Sequence, residues 1–277
     1  MFKIVPMLNP DGVALGNYRT GISGKDFNRE YKDPDKEVFP EVYAFKKLVA
    51  ENKAIYGDNL LMFIDFHGHS VKKNVFMYGP EFPIIDRNYY EARIFPKILS
   101  SHTEMFRYYS CIFKISAAKT TTARAIFLRK LMIPCSYTIE ASNGSYYDHE
   151  LLKNIPFTCE SWVMMGEHIG FSLNEYCHLV IANEKIKLER QHHKRLKGHK
   201  TSVDAGEERK LRILYEEIKK LEEEREFCKN SEDEMSEGSS DGEDEKEDLP
   251  ASKIKQLFQI IKSKKSHQER EQLFKES

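Results

Sequence analysis

The stretch Leu61-Met-Phe-Ile-Asp-Phe-His-Gly-His-Ser70 decides the fold of this chain. It is an apolar run typical of a buried strand, and it ends abruptly at two histidines. Such a strand delivers the imidazoles of His67 and His69 to the carboxyl end of a sheet, where ligands and catalytic groups gather in open α/β folds. Two histidines so close after Asp65 favour metal ligation about as much as ordinary hydrogen bonding. Because Gly68 interrupts the extended geometry, we expect one of the two histidines to be a ligand.

Strands and helices alternate over the first 180 residues, and this alternation favours a three-layer α/β/α domain. The apolar spacing predicts helices at residues 39–54, 90–109, 123–131, 151–170 and 172–196. It predicts strands at residues 4–8, 60–66 and 136–140. Residues 9–35, rich in Gly, Asn and Asp, are expected to form a loop.

Composition excludes several classes of protein. The chain has 277 residues, which suffice for one substantial domain and a smaller appendage. A formal net charge of -1 points to neither a nucleic acid nor a membrane partner, and no apolar stretch approaches the length of a transmembrane helix. The five cysteines are widely spaced without a CxxC pair, which is typical of reduced thiols in a cytosolic protein.

Charge is segregated in residues 181–277, which we predict to be a charged extension of helical and disordered segments. Residues 185–200 are basic, and residues 207–227 predict a solvated or coiled-coil helix. Residues 231–248 are almost all Ser, Glu, Asp and Gly and are predicted to be disordered. Residues 251–277 form a basic amphipathic stretch.

Three further clusters carry chemistry, although each alone is typical of a turn or a surface. The sequence Asn9-Pro-Asp-Gly12 predicts a turn, and Arg19 in the loop beyond it could reach a cleft. Asn28 and Arg29 together offer amide donors and a planar guanidinium, which suit a carboxylate. Glu140 ends a predicted strand, where a buried general base would lie.

Taken together and in this order, the clusters resemble the zinc metallocarboxypeptidases of the carboxypeptidase A clan. The details are similar to the cytosolic, tubulin-processing branch, and the resemblance covers about residues 1–175. Besides the motifs already quoted, it rests on Lys73-Asn-Val-Phe-Met-Tyr-Gly79, Phe113-Lys-Ile-Ser116, Thr122-Ala-Arg124 and Ser136-Tyr-Thr-Ile-Glu-Ala-Ser142.

The resemblance implies a mixed central sheet, a Zn²⁺ cofactor and a role for each matched residue. His67 corresponds to the family's last zinc ligand, and Glu140 to the general base that activates the zinc-bound water. Arg19 corresponds to the residue that polarises the scissile carbonyl. Asn28 and Arg29 correspond to the pair that holds the C-terminal carboxylate of the substrate. The reaction implied is removal of C-terminal residues from polypeptides.

Substrate preference is implied by the same resemblance. Arg124 lies near the position that lines the specificity pocket, and its charge would favour acidic C-terminal residues. Lys114 and Lys119 would reinforce that field. The expected substrates are glutamylated proteins such as tubulin. The expected location is the cytoplasm, at microtubules or cilia.

One part of the family's metal site is absent from this sequence. The resemblance implies two more ligands from an HxxE motif upstream of Asn9, and none of the ten histidines begins such a motif. We therefore expect weak zinc binding and little hydrolysis. The resemblance also implies that the first strands of the family's sheet are missing, and because exposed strand edges invite aggregation we expect poor solubility. An N-terminally truncated carboxypeptidase catalytic domain, residues 1–180, is the favoured interpretation. The alternative is a non-catalytic protein that binds acidic C-terminal tails.

Overall fold

A computed structural model describes residues 1–149, 151–195 and 205–233. One unit of the fold is formed by Met1–Ile218; a second begins at Lys219 and is described as far as Asp233. Most of the predicted acidic tract and all of the basic stretch at 251–277 lie outside the described residues, as do residues 196–200. The boundary near residue 180 stays a prediction, and a continuous helix runs through it.

The described elements alternate between helix and strand through most of the first unit. The α-helices are α1 Pro10–Leu15, α2 Pro40–Tyr56, α3 Arg87–His102, α4 Ala123–Leu131, α5 Cys159–Arg195 and α6 Ala205–Asp233. The strands are β1 Met62–His69, β2 Val75–Tyr78, β3 Cys135–Ser142, β4 Ser145–Asp148 and β5 Lys153–Pro156. No helix of the described residues is long and apolar enough to cross a membrane.

The main sheet has the strand order β1-β3-β2. Strand β3 pairs in parallel with β1 and antiparallel with β2, so the sheet is mixed, as predicted. Strands β4 and β5 form a separate antiparallel pair. The parallel pairing of β1 and β3 brings their carboxyl ends to the same edge of the sheet.

Helices cover both faces of this sheet, so the predicted α/β class is confirmed. One face packs against α2 and α4 through an aromatic cluster, in which the rings of Phe63 and Phe127 meet edge to face with centroids 4.7 Å apart. The other face packs against α3, α5 and α6. Its fully buried members include Met77, Phe95, Leu99, Tyr137, Ile139, Leu179 and Ile218.

Local signals set the ends of the helices that frame the sheet. Pro40 stands in the first turn of α2, and Gly57 ends that helix with a φ of 55°. Proline suits a first turn because its missing N–H would have no partner there. The Asp86 carboxylate accepts the Asn88 N–H at 2.8 Å and caps α3. The predicted bounds of α4 are confirmed.

Several predicted elements are wrong. Residues 4–8 form no strand, because no other strand pairs with them. Residues 151–170 and 172–196 are not two helices: the first begins as strand β5, and α5 then continues through Gly170. Strand β2 was not predicted, since four apolar residues do not distinguish a strand from a buried turn of helix.

Helix α6 confirms the predicted helix at 207–227, but its environment differs from the expected one. Leu211, Leu214 and Tyr215 pack against the core cluster, and Ile218 is fully buried in it. The Lys97 ammonium on α3 lies 3.1 Å from the Glu217 carboxylate. The apolar side of α6 is therefore covered by the α/β unit up to Ile218.

Strand β1 forms an open edge in the described part of the chain, because it pairs with β3 alone. Its apolar residues alternate onto both faces, a pattern typical of an interior strand, yet Phe66 is 64% exposed. An exposed apolar edge strand is a template for pairing between chains.

We predict that Phe66→Lys reduces aggregation of the full chain, because a charged side chain blocks edge-to-edge pairing. Light scattering during concentration measures the effect, and the melting temperature should change little. Ile85→Lys is the control, since Ile85 is 94% exposed but lies outside the strand. Equal aggregation of the two variants would contradict a role for the β1 edge.

Candidate active site

The register of the parallel pair builds the centre of the site. His67 on β1 lies opposite Glu140 on β3, and Asp65 lies opposite Thr138. Alternate residues of a strand share a face, so these four side chains emerge on one side of the sheet. This is the face that α2 and α4 cover, and the four residues lie towards its carboxyl edge. Two residues predicted from separate motifs are thereby brought together.

His67 is held by a carboxylate from its own strand. Its Nε2 lies 2.8 Å from Asp65 Oδ2 and 3.5 Å from the Asn28 amide nitrogen. Burial alone would lower the pKa of His67, but the hydrogen bond and charge of Asp65, with the charge of Glu140, raise it above its usual value. Both of these contacts use Nε2, so neither occupies Nδ1.

Glu140 is a buried carboxyl group beside this histidine. Burial raises its pKa above the ordinary value, although the positive charges of His67 and Arg19 work in the opposite direction. Lys119 also acts on it. A carboxylate with a raised pKa accepts a proton more readily than an ordinary one, which suits a general base.

Asn28 and Arg29 lie on a 3-10 turn, Phe27–Arg29, that begins at Asp26. The Asp26 carboxylate accepts the Asn28 N–H at 2.8 Å. The side-chain oxygen of Asn28, Oδ1, accepts a hydrogen bond from the backbone N–H of Ala123 at 2.9 Å. This bond fixes the turn to the start of α4. This contact and the approach of Asn28 to His67 place the predicted carboxylate-binding pair at the site.

Arg19 and Arg29 meet at Asp26. Arg19 Nε lies 2.6 Å from Asp26 Oδ2, and Arg29 Nη1 lies 3.5 Å from the same oxygen. Burial alone would raise the pKa of Asp26. The hydrogen bonds from Arg19 and Asn28 N–H, with the two guanidinium charges, outweigh burial and lower it. The arginines thus stabilise the ionised form of Asp26.

Arg124 is buried at the start of α4, with 4% of its surface exposed. Its Nη1 donates a hydrogen bond to the Gly79 carbonyl, and its guanidinium carbon lies 5.8 Å from the centre of the Tyr78 ring. Burial lowers its pKa to about 10, so the side chain keeps its charge at neutral pH. The charge of Glu140 acts on it, which places Arg124 within electrostatic reach of the site.

His69 has a different environment from His67. Its Nδ1 accepts the N–H groups of Val71 and Lys72 at 3.1 and 3.0 Å. The ring also packs edge to face on Phe76. His69 therefore caps the turn that follows β1, which leaves His67 as the histidine that faces Glu140.

The zinc ion implied by the resemblance requires at least three protein ligands. Among the described residues there is no group of three His, Cys, Asp or Glu side chains that could hold a metal ion. The full sequence also contains no HxxE motif. His67 and its Asp65 partner fit one ligand with its supporting carboxylate, but the described residues do not fit a complete zinc site.

Sequence reasoning assigned no role to the two aspartates that organise the site, Asp26 and Asp65. A signal was present for each. Asp65 precedes His67 by two residues on a strand and must share its face. Asp26 stands directly before the turn that carries Asn28, where a carboxylate caps free N–H groups. The contact between Asp26 and Arg19 depends on the path of a loop, and no spacing rule predicts it.

The fold is similar to that of a solved metallo-carboxypeptidase. A metallo-carboxypeptidase from Burkholderia cenocepacia aligns over 63% of this chain and 44% of its own, with a TM-score of 0.53 and 24% sequence identity. That likeness shows the fold. No family model matches the chain.

Sequence comparison identifies cytosolic carboxypeptidases as homologues of this chain. The chain is 40% identical over 179 residues to Cytosolic carboxypeptidase 2 of Xenopus tropicalis, which covers 64% of the chain and 18% of that protein. It is 38% identical over 193 residues to human Cytosolic carboxypeptidase 6, which covers 68% of the chain and 37% of that protein. The chain is thus a homologue of the cytosolic carboxypeptidases, and it spans well under half the length of these relatives. The resemblance predicted from the motifs is confirmed.

We predict that Glu140→Gln raises the melting temperature at pH 7.5 but not at pH 4. The folded-state pKa of Glu140 is raised, so the folded protein binds this proton more tightly than the unfolded chain. Stability is therefore lost as pH rises through the folded-state pKa, and an uncharged side chain avoids that loss. Differential scanning calorimetry at both pH values measures the difference. Glu37→Gln, at an exposed position, is the control, and an equal or lower melting temperature at pH 7.5 would contradict the burial of an ionised Glu140.

Proposed function

We propose that this chain forms the substrate-binding and proton-transfer part of a metallocarboxypeptidase that removes C-terminal residues, chiefly glutamate, from polypeptides. The observation that supports this proposal is the convergence of His67, Glu140 and Asn28 at the carboxyl ends of β1 and β3. Homology to cytosolic carboxypeptidases supports the same reaction class. The cytoplasm is the compartment that the names of the homologues indicate.

Recognition of a free C-terminus is assigned to Asn28, Arg29 and Arg19. An exopeptidase must distinguish a terminal carboxylate from an internal peptide bond. A planar guanidinium can donate two parallel hydrogen bonds to a carboxylate, and the amide of Asn28 adds a third donor. Both arginines already contact one carboxylate oxygen, that of Asp26. These contacts support a role for both side chains in binding an anionic group.

Preference for glutamate is assigned to Arg124. Its charge is buried, and a buried cation acts more strongly on a nearby carboxylate than an exposed one does. Within the described residues, the one hydrogen bond of this guanidinium goes to Gly79. The side chain thus keeps donors for an acidic substrate side chain. Glutamate-rich C-terminal tails, such as those of tubulin, are the substrates that this chemistry fits.

Proton transfer is assigned to Glu140. A buried carboxylate with a raised pKa can take a proton from water and return it to the leaving amine. Zinc would supply the activated water when bound, with His67 as one ligand. Because the described residues do not complete a zinc site, the hydrolytic reaction needs metal ligands beyond them.

The incomplete metal site supports a second candidate, a non-catalytic receptor for acidic C-terminal tails. The same arginines would bind the tail without cleaving it. Both candidates require binding of the free carboxylate. They differ in hydrolysis, which only the enzyme would carry out once its metal site is complete.

We predict that the full chain binds a peptide ending in Glu-Glu with a free carboxylate more tightly than the same peptide with an amidated C-terminus. Arg29→Gln should weaken binding of the free form about tenfold or more, because a hydrogen bond to a charged group contributes roughly 1.5–3 kcal/mol. Isothermal titration calorimetry measures both. Arg129→Gln removes an exposed arginine at the far end of α4 and is the matched control. No preference for the free carboxylate would exclude both candidate functions.

To test catalysis, the region of human Cytosolic carboxypeptidase 6 that precedes its match to this chain can be fused upstream of Met1. We expect this chimera to release glutamate from the peptide in a zinc-dependent reaction. Glu140→Gln should lower the rate of release at least about a hundredfold. The chain alone should release none. A folded chimera that binds zinc and peptide but releases no glutamate would favour the receptor.

We also predict that Arg124→Lys lowers the preference for a C-terminal glutamate over a C-terminal leucine. Lysine keeps the charge but cannot donate to Gly79 and to a substrate carboxylate in the same fixed geometry. The ratio of the two dissociation constants should fall about tenfold, whereas the preference for a free over an amidated terminus should persist. An unchanged ratio would show that Arg124 does not line the pocket.

A further inference from the structure

The two arginines of the site contact the same side chain before any substrate is present. Asp26 Oδ2 lies 2.6 Å from Arg19 Nε and 3.5 Å from Arg29 Nη1. The other carboxylate oxygen, Oδ1, accepts the Asn28 N–H at 2.8 Å. One carboxylate therefore contacts all three residues that are proposed to recognise the C-terminal carboxylate.

Asp26 is itself fixed on the fold. It forms a β-bridge with Thr20, and the Thr20 carbonyl accepts hydrogen bonds from the side-chain amides of Asn9 and Asn17. The Asp26 side chain is largely buried, with 20% of its surface exposed, whereas that of Arg19 is 46% exposed. The long, mobile side chain is thus held by the short, anchored one.

The contacts use only part of each guanidinium. Arg19 contacts Asp26 through Nε, and within the described residues no other acceptor contacts it. Arg29 uses Nη1 for Asp26 and for the Asn28 carbonyl, to which it donates at 3.0 Å. A guanidinium has five N–H donors in a rigid plane. Fixing one nitrogen orients the plane and leaves the remaining donors for a substrate carboxylate.

We propose that Asp26 is the positioning residue of this site: it orients Arg19 and Arg29 so that their remaining donors meet the C-terminal carboxylate of the substrate. The inference rests on the proposed function. It assigns a role to Asp26, which neither the motifs nor the names of the homologues do. Asp26 does not contact the substrate. It lowers the entropy that two long side chains would otherwise lose on binding.

Two opposite effects of Asp26 on binding can be separated by experiment. If Asp26 orients the arginines, its removal weakens binding of the substrate carboxylate. If it competes with that carboxylate for the same donors, its removal strengthens binding. The geometry favours orientation, because the contacts occupy one nitrogen of each guanidinium and the ordering of both arginines is lost without them.

The test is Asp26→Asn in the full chain, titrated by calorimetry with the Glu-Glu peptide in its free and amidated forms. Asparagine can still accept the Asn28 N–H but has no charge for the arginines. We expect the affinity for the free peptide to fall about tenfold or more and the affinity for the amidated peptide to change less than about twofold. A loss equal for both peptides, no loss, or tighter binding would overturn the proposal.

A matched control and a second readout exclude a general loss of structure. Asp35 also caps a turn, by accepting the N–H groups of Glu37 and Val38, but contacts no arginine in the described residues. Asp35→Asn should leave the free-to-amidated ratio unchanged. Hydrogen exchange at the arginine Nε–H groups, followed by ¹⁵N NMR without peptide, should accelerate at Arg19 in Asp26→Asn and not in Asp35→Asn. Unaltered exchange at Arg19 would overturn the proposal even if Asp26→Asn were too unstable to titrate.

The two proposals fail in different ways. If the wild-type chain does not prefer a free carboxylate, the proposed function fails and this inference fails with it. If the wild-type chain prefers the free carboxylate and Asp26→Asn keeps the same preference, the proposed function stands and the positioning role of Asp26 is wrong.

Discussion

The parallel pairing of β1 with β3 is the constraint on which the site depends. It aligns two strands that lie more than seventy residues apart in the sequence. His67 and Glu140 are therefore directly paired on neighbouring strands. A shift of one residue would turn every side chain of a strand to the opposite face. The aromatic cluster around Phe63 fixes the register, because that ring must point towards α2 and α4.

Electrostatics then divide the site into two kinds of group. Glu140 is a buried carboxyl group with a raised pKa, whereas Asp26 has a lowered pKa because two arginines contact it. Arg19 acts on both carboxylates, but their pKa values move in opposite directions, so Glu140 accepts a proton more readily and Asp26 less readily than an ordinary carboxylate. His67 contacts Asp65 and the side chain of Asn28, and Asn28 in turn donates its N–H to Asp26.

The sequence predicted what depends on local pattern and on quoted motifs. The strand that carries His67, the helix α4, the mixed α/β class and the gathering of Asn28, His67 and Glu140 follow from apolar periodicity and from the resemblance. The strand expected at residues 4–8 is wrong and the hairpin β4–β5 was missed, because strand formation depends on a partner that is distant in sequence. The joint contact of Arg19 and Arg29 with Asp26 depends on the path of a loop, which no periodicity describes.

The central claim is that the arginines at this sheet edge bind a C-terminal carboxylate. The pKa of that carboxyl group in the bound peptide tests this claim most directly. A glutamate-ended peptide labelled with ¹³C at its terminal carboxyl carbon can be titrated by NMR, free and bound to the chain. The account predicts that binding lowers the pKa of this carboxyl group, because guanidinium donors stabilise its ionised form. An unchanged or raised pKa in the bound peptide would contradict it.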